Sequence, residues 1–215
     1  MEQVLNLYAQ PTDSRFPVVC FDERPCFLVG NTVEGLAMRD GQVAREHYEY
    51  AKNGSCALLM ATEPQTGQRL AEVRARRTKQ DYAEFMRALA ECYPQAEKIR
   101  VVQDNLNTHN ESSFYEAFSA EEAFALAQRF EMYYTPKSAS WLNMQEIEFS
   151  ALAKQCLNRR IATQEQLATE VLAIVKERQQ KAVKIKWQFS IENARKKLNR
   201  HYQQVNAENA HYLRT

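Results

Sequence analysis

Short apolar runs dominate the first third of the chain, and a different period takes over after residue 77. Residues 17–22 (PVVCFD) form one such run, and residues 26–29 could pair beside it. Segments 47–50, 56–62 and 69–76 read as strands. Asn53-Gly54 is a hairpin signal between the first two, and residues 64–67 signal a turn between the next two. Residues 18–75 therefore read as antiparallel strands, with 30–45 a loop and the polar stretch 1–16 a leader. Beyond them Thr78 and Asp81 have the spacing of a capping box. Tyr82, Phe85, Met86, Leu89 and Tyr93 make a helical stripe that stops before Pro94. Residues 98–103 (KIRVVQ) predict a strand that delivers Asp104 at its end. A helix over 120–129, a strand over 130–134 and a helix over 141–157 follow.

The order is three antiparallel strands, then helix, strand, helix, strand, helix. That is the order of an α/β, ribonuclease H-like fold: a mixed five-stranded sheet, antiparallel and then parallel, flanked by helices. Extra C-terminal helices are expected near 164–180 and 190–204, with an apolar-alternating segment, 184–189 (KIKWQF), between them.

With 215 residues, 45% of them hydrophobic, a real core is available and one domain suffices. The five cysteines are odd in number and none is spaced Cys-x-x-Cys. That argues against a disulfide framework and against structural zinc, and it fits a reducing cytoplasmic compartment. Neither an 18-residue apolar run nor a signal core is present, so no membrane partner is expected. A net charge of +1 says nothing about partners, but its distribution does. Residues 176–200 carry nine Lys or Arg against two Glu, and residues 111–131 carry five Glu against one Arg. The basic stretch suits phosphate contacts and equally suits a solvated helix face.

Two acids fall at strand ends. Asp22 closes the first apolar strand and Asp104 the fourth, so neighbouring strands would bring both carboxylates to one sheet edge. Like charges there need a positive compensation, and carboxylate oxygens suit Mg²⁺ or Mn²⁺. Glu146 and Glu148 share the next helix but lie about 200° apart around it, so only one can face that edge. Glu146 shares its face with Asn143 and Ser150, and is assigned to the site; Glu148 is left to the surface. Two ions about 3.5–4 Å apart, held by three carboxylates, would clamp the attacking and leaving oxygens of a displacement at phosphorus. Taken one at a time, each acid is also explained as a turn former or helix cap.

Three blocks bear on that choice: FDE at 21–23, QDNLNTH at 103–109 and TPKSASWLNMQEIEF at 135–149. Together they resemble the DDE transposases of the mariner-like superfamily, and most of all its insertion sequence 630 branch. Asp104, Asn105 and His109 match a D-N-x-x-x-H block, and Glu146 follows Pro136 and Leu142-Asn143 as the third acid does. The segments 48–56, 156–161 and 187–198 are similar too.

The resemblance implies a catalytic domain over 17–205 with a helical extension at about 160–205 and a tail at 206–215. It implies Asp22, Asp104 and Glu146 as catalytic residues and ligands of two Mg²⁺ or Mn²⁺ ions. It further implies cleavage of DNA at element ends, joining of 3′-hydroxyls to target DNA at a TA step, and a homodimer or larger active complex. Sixteen residues precede the first core strand, too few for the helix-turn-helix modules usual in the family. The chain is therefore expected to be either a fragment or the product of a split or frameshifted gene, with a separately encoded helix-turn-helix region as one candidate partner. The alternative is a truncated, silent remnant that only binds DNA or dimerises; another ribonuclease H-like nuclease is a third reading.

Further DNA contacts are expected around these acids. His109 could touch a phosphate, orient a ligand, or cap the next helix. Asn107 and Asn143 belong to the same group. Lys137 could hold a phosphate, and Trp141 could stack on an unpaired base or pack on the sheet edge. Arg76, Arg77, Arg159 and Arg160 are candidates along the backbone. Lys196 and Lys197 lie on the basic side of a helix that could grip DNA non-specifically.

Overall fold

A computed structural model describes residues 1–43, 45 and 47–206. Its centre is a five-stranded sheet of β1 (Val18–Asn31), β2 (Tyr50–Thr62), β3 (Arg69–Arg74), β4 (Ile99–Gln103) and β5 (Phe130–Tyr134). The strand order is β3-β2-β1-β4-β5. The first three strands pair antiparallel, and β4 and β5 join parallel, as the element order predicts.

Two strands are longer than expected. Residues 26–29 do not pair beside 17–22; they continue it as one strand, β1. Pro25 is tolerated because β4 pairs only with Val18–Cys20, so beyond Cys20 one edge of β1 carries no strand. Asn53-Gly54 does not turn a hairpin either. Phe27 pairs Ser55 and Val29 pairs Lys52, so Asn53 and Gly54 together oppose Leu28 as a β-bulge. Gly54 supplies the positive φ of 105° that the bulge uses. The turn at 64–67 forms as expected, closed by Gly67 N–H on the Glu63 carbonyl at 2.9 Å.

Helices cover both faces. They are α1 (Glu2–Tyr8), α2 (Lys79–Glu91), α3 (Ser112–Ala117), α4 (Ala120–Ala127), α5 (Gln145–Leu152), α6 (Gln164–Gln180), α7 (Ile191–Lys197) and α8 (Asn199–Val205). Thr78 and Asp81 form the capping box of α2, and Tyr82, Phe85, Met86 and Leu89 are its buried stripe. That stripe packs with Phe21, Leu59, Val101 and Phe114 on one face of the sheet. Leu58 and Met60, pointing the other way along β2, meet Phe149 and Leu152 of α5 and Leu167, Val171 and Val175 of α6. Each such side chain, once fully buried, contributes about 1.5–3 kcal/mol.

Residues 1–16, expected to be a leader, include α1, whose Val4, Leu5 and Leu7 are buried against Val18, Cys20, Val102 and Ala194. Amphipathic spacing over so few residues gives little signal. The helix expected over 141–157 is broken into a 3₁₀ turn (Ser140–Leu142), α5 and a π turn (Ala153–Leu157). The helix expected over 190–204 divides at Leu198 into α7 and α8, and residues 184–189 form no strand. All five cysteines are free. No helix among the described residues is long and apolar enough to cross a membrane. The proposed tail at 206–215 lies, past Asn206, outside the described residues.

Candidate active site

Parallel pairing aligns β1 with β4 at Cys20 and Val102. That register, continued by two residues, leads to Asp22 on β1 and to Asp104 immediately after β4. Asp22 is half-buried and its Oδ1 accepts the Glu23 N–H at 2.8 Å. Burial pushes the Asp22 carboxyl up to about 7; the Glu23 N–H pulls against this, while the charges of Asp104 and Glu146 add to it. Those two charges acting on Asp22 place all three predicted acids in one electrostatic neighbourhood. Asp104 follows β4 and is partly exposed, and Glu146 is exposed in the first turn of α5.

The entry to α5 is tied directly to β1. Asn143 donates through Nδ2 to the Phe21 carbonyl at 2.7 Å, and its Oδ1 accepts the Gln145 N–H at 3.1 Å. One buried amide thus connects the residue before Asp22 to the residue before Glu146. Asn143, expected among the DNA contacts, is 1% exposed and spends its amide inside the chain.

Glu148 does not lie on the surface. Its carboxylate is fully buried and takes four hydrogen bonds of 2.8–3.0 Å from Arg69 and Arg178. Arg69, also buried, adds bonds to the carbonyls of Gly67 and Val183. Burial raises the Glu148 carboxyl, but the two guanidiniums outweigh it and hold the group below its ordinary value. The rotation between Glu146 and Glu148 is as the helix geometry requires; what lies on the far side is a buried ion cluster under α6, not solvent. The sequence carries no local sign of it, because the two arginines are 79 and 30 residues away from Glu148.

His109 is fully buried. Nδ1 bonds Asp104 Oδ1, and Nε2 lies 3.0 Å from Glu23 Oε1. Burial disfavours its charge, yet the two carboxylates raise the imidazole to about 9. Glu23, which the sequence reading passed over, is itself buried; its Oε2 has no hydrogen-bond partner and sits 4.0 Å from the exposed Arg77. Arg77 and Glu23 line a shallow pocket with Asn105, Leu106, Asn107 and Thr108.

The remaining candidates scatter. Trp141 is half-exposed, edge-on to Phe189 at 5.2 Å, and borders a groove with Glu146, Ile147, Ser150 and Lys154 along the open side of α5. Lys137 and Arg76 are exposed. Arg159 pairs with Glu170. Arg160 reaches back to Asn31 Oδ1 and to the carbonyls of His47 and Glu49, stapling the outer ends of β1 and β2. Lys196 pairs with Glu192 at 2.9 Å, and Lys197 sits over the Phe189 ring.

The donor chemistry at the sheet edge, three carboxylates in one electrostatic neighbourhood, suits a hard divalent ion. Among the described residues, however, no three His, Cys, Asp or Glu side chains are close enough to hold a metal between them as they stand.

Residues 17–168 match the family model of the DDE superfamily endonuclease. No curated protein matches the chain. Among solved structures it is similar to the Mos1 mariner paired-end complex with Mn, at 15% identity and TM-score 0.53, over 85% of this chain and 59% of that one. It is also similar to the mariner Mos1 paired-end complex with Mg, at 16% identity and TM-score 0.53, over 99% of this chain and 61% of that one. A third is the Mos1 strand transfer complex, at 15% identity and TM-score 0.52, over 85% and 58%. The chain spans about three fifths of the length of these proteins. At such identity the likeness speaks for the fold, and it agrees with the ribonuclease H-like arrangement of the sheet.

Proposed function

The chain belongs to the DDE superfamily endonucleases, and on that premise we propose that it is the catalytic core of a transposase of the mariner-like superfamily, insertion sequence 630 branch. Asp22, Asp104 and Glu146 would hold Mg²⁺ or Mn²⁺, and two such ions would activate water or a 3′-hydroxyl and offset charge on the leaving oxygen. What supports this reading most is the parallel register of β1 and β4, which leads to Asp22 on β1 and to Asp104 just past β4, with the charges of Asp104 and Glu146 raising Asp22.

The chain's own residues divide the remaining work. Asn143 holds the start of α5 against β1 and so sets the separation of Asp22 and Glu146. The Glu148 cluster fixes the rotation of α5, which turns Glu146 to the open side. DNA would lie across the edge, with Trp141 and Lys154 along the groove beside Glu146 and with Lys137, Arg76 and Arg77 near its phosphates. One of the similar solved structures is the Mos1 transposase paired-end complex with a left transposon end, which supports DNA as the partner; a homodimer or larger active complex is part of the same proposal.

Purified chain should nick plasmid DNA in Mg²⁺ or Mn²⁺, stop when EDTA is added, and join 3′-hydroxyl oligonucleotide ends to a target plasmid. DNA binding with no cleavage in either metal would contradict the proposal and leave a silent DNA-binding remnant.

A further inference from the structure

We propose that His109 is a positioning residue that fixes the carboxylate of Asp104, with Glu23 as the anchor that fixes His109; the inference rests on the metal-dependent reading above. Asp104 lies past the last residue of β4, so no ladder bond fixes its orientation. What holds its side chain is the imidazole, through Nδ1. The ring cannot swing away. It stacks on Tyr82 with centroids 5.1 Å apart and meets Phe21 edge-on at 5.2 Å. Its other nitrogen is taken by Glu23 at 3.0 Å.

The main chain of His109 is held as well. Tyr82 donates to Gln103 Oε1 at 3.0 Å, and Gln103 Nε2 donates to the His109 carbonyl at 3.0 Å. Glu23 follows Asp22 on β1, so strand alternation sends the two side chains to opposite faces. Glu23 is therefore placed to act through the ring and not beside Asp22. A carboxylate, an imidazole and a second carboxylate thus form a chain from β1 to the residue after β4. Groups that orient metal-binding carboxylates in this way are worth about 10–100-fold in metal affinity.

Asparagine and glutamine separate the two ends of the chain. An Asn amide places its nitrogen near the position of Nδ1, and a Gln amide near that of Nε2. The test is a Mn²⁺ titration of each variant of this chain by calorimetry, with its thermal midpoint measured alongside. His109→Asn keeps the bond to Asp104 but gives up the one to Glu23, so it should lose Mn²⁺ affinity only severalfold, as Glu23→Ala does, whereas His109→Gln should lose about tenfold or more. Equal losses in both variants, or a loss in neither, overturn the inference, because a ring that only fills space does not distinguish its two nitrogens. Replacing a fully buried ring can unfold the chain, so Glu23→Ala offers a second route that leaves the ring in place and removes its anchor. Its Mn²⁺ affinity should fall severalfold, and unchanged affinity overturns the role given to Glu23. Wild-type chain that binds no Mn²⁺ defeats the metal reading and this inference with it. Wild-type binding without discrimination among the variants defeats this inference alone.

Discussion

Replacing Glu148 with alanine should cost far more stability than replacing Glu146, although the two are neighbours on one short helix. Glu148 and Arg69 are both completely shielded from water, and Arg178 is largely so. Removing the carboxylate takes away four charge-assisted hydrogen bonds and strands the Arg69 guanidinium in the interior. Breaking a buried pair by deleting one partner costs about 3–5 kcal/mol. For a chain of this size each kcal/mol moves the melting temperature by about 2–4 °C, so Glu148→Ala should melt roughly 6–20 °C lower. Glu146 is exposed, and Glu146→Ala should stay within about 0.5 kcal/mol of the wild type. Calorimetry, with urea denaturation as a second measure, checks both. A Glu148→Ala chain melting within 2 °C of the wild type (about 1 kcal/mol or less), or a Glu146→Ala chain falling as far, would refute the assignment of one glutamate to the brace and the other to the site.

Three further outcomes follow from the same geometry. Gly67 has φ +85° and an added Cβ would meet the Ala182 backbone carbon at 2.9 Å, so Gly67→Ala should cost about 1–3 kcal/mol in urea denaturation. Gly41, equally left-handed but with open space around it, should cost less on the same scale. Asn143→Ala orphans the Phe21 carbonyl and should cost about 1–3 kcal/mol, while salt-dependent DNA affinity in a gel shift should stay unchanged. The hydrogen bonds from Arg195 hold the Glu2 carboxyl down at about 2 against a modest burial effect, with help from Tyr202. Its folded value lies below its unfolded one, so its contribution is complete above pH about 4.5 and fades as pH falls toward 2. The stability difference between wild type and Glu2→Gln should shrink over that window.

The sheet order was legible because the period of apolar positions changes once, after the third strand, and because each parallel strand is short and bounded by clear signals. The two long strands were not. Pro25 and Asn53-Gly54 are strong local punctuation, and both are overruled by pairing along β1 and β2, where an unpaired edge and a bulge accommodate them. The three acids proposed for the site were singled out from strand ends and motif context. Their supports were not, because Arg69, Arg178 and Glu23 reach Glu148 and His109 from distant parts of the chain. Asn143 was visible as a residue of the motif, but its burial could not be read from spacing, since the helix it was assigned to begins only after it.

The central claim is that Asp22, Asp104 and Glu146 act together as a metal-dependent cutting site. Nicking rates in Mn²⁺ for Asp22→Asn, Asp104→Asn and Glu146→Gln, each compared with the wild type at matched folding, test it most directly. All three should lose cleavage by at least about a hundredfold while retaining DNA binding. Full cleavage by any one of them would contradict the account.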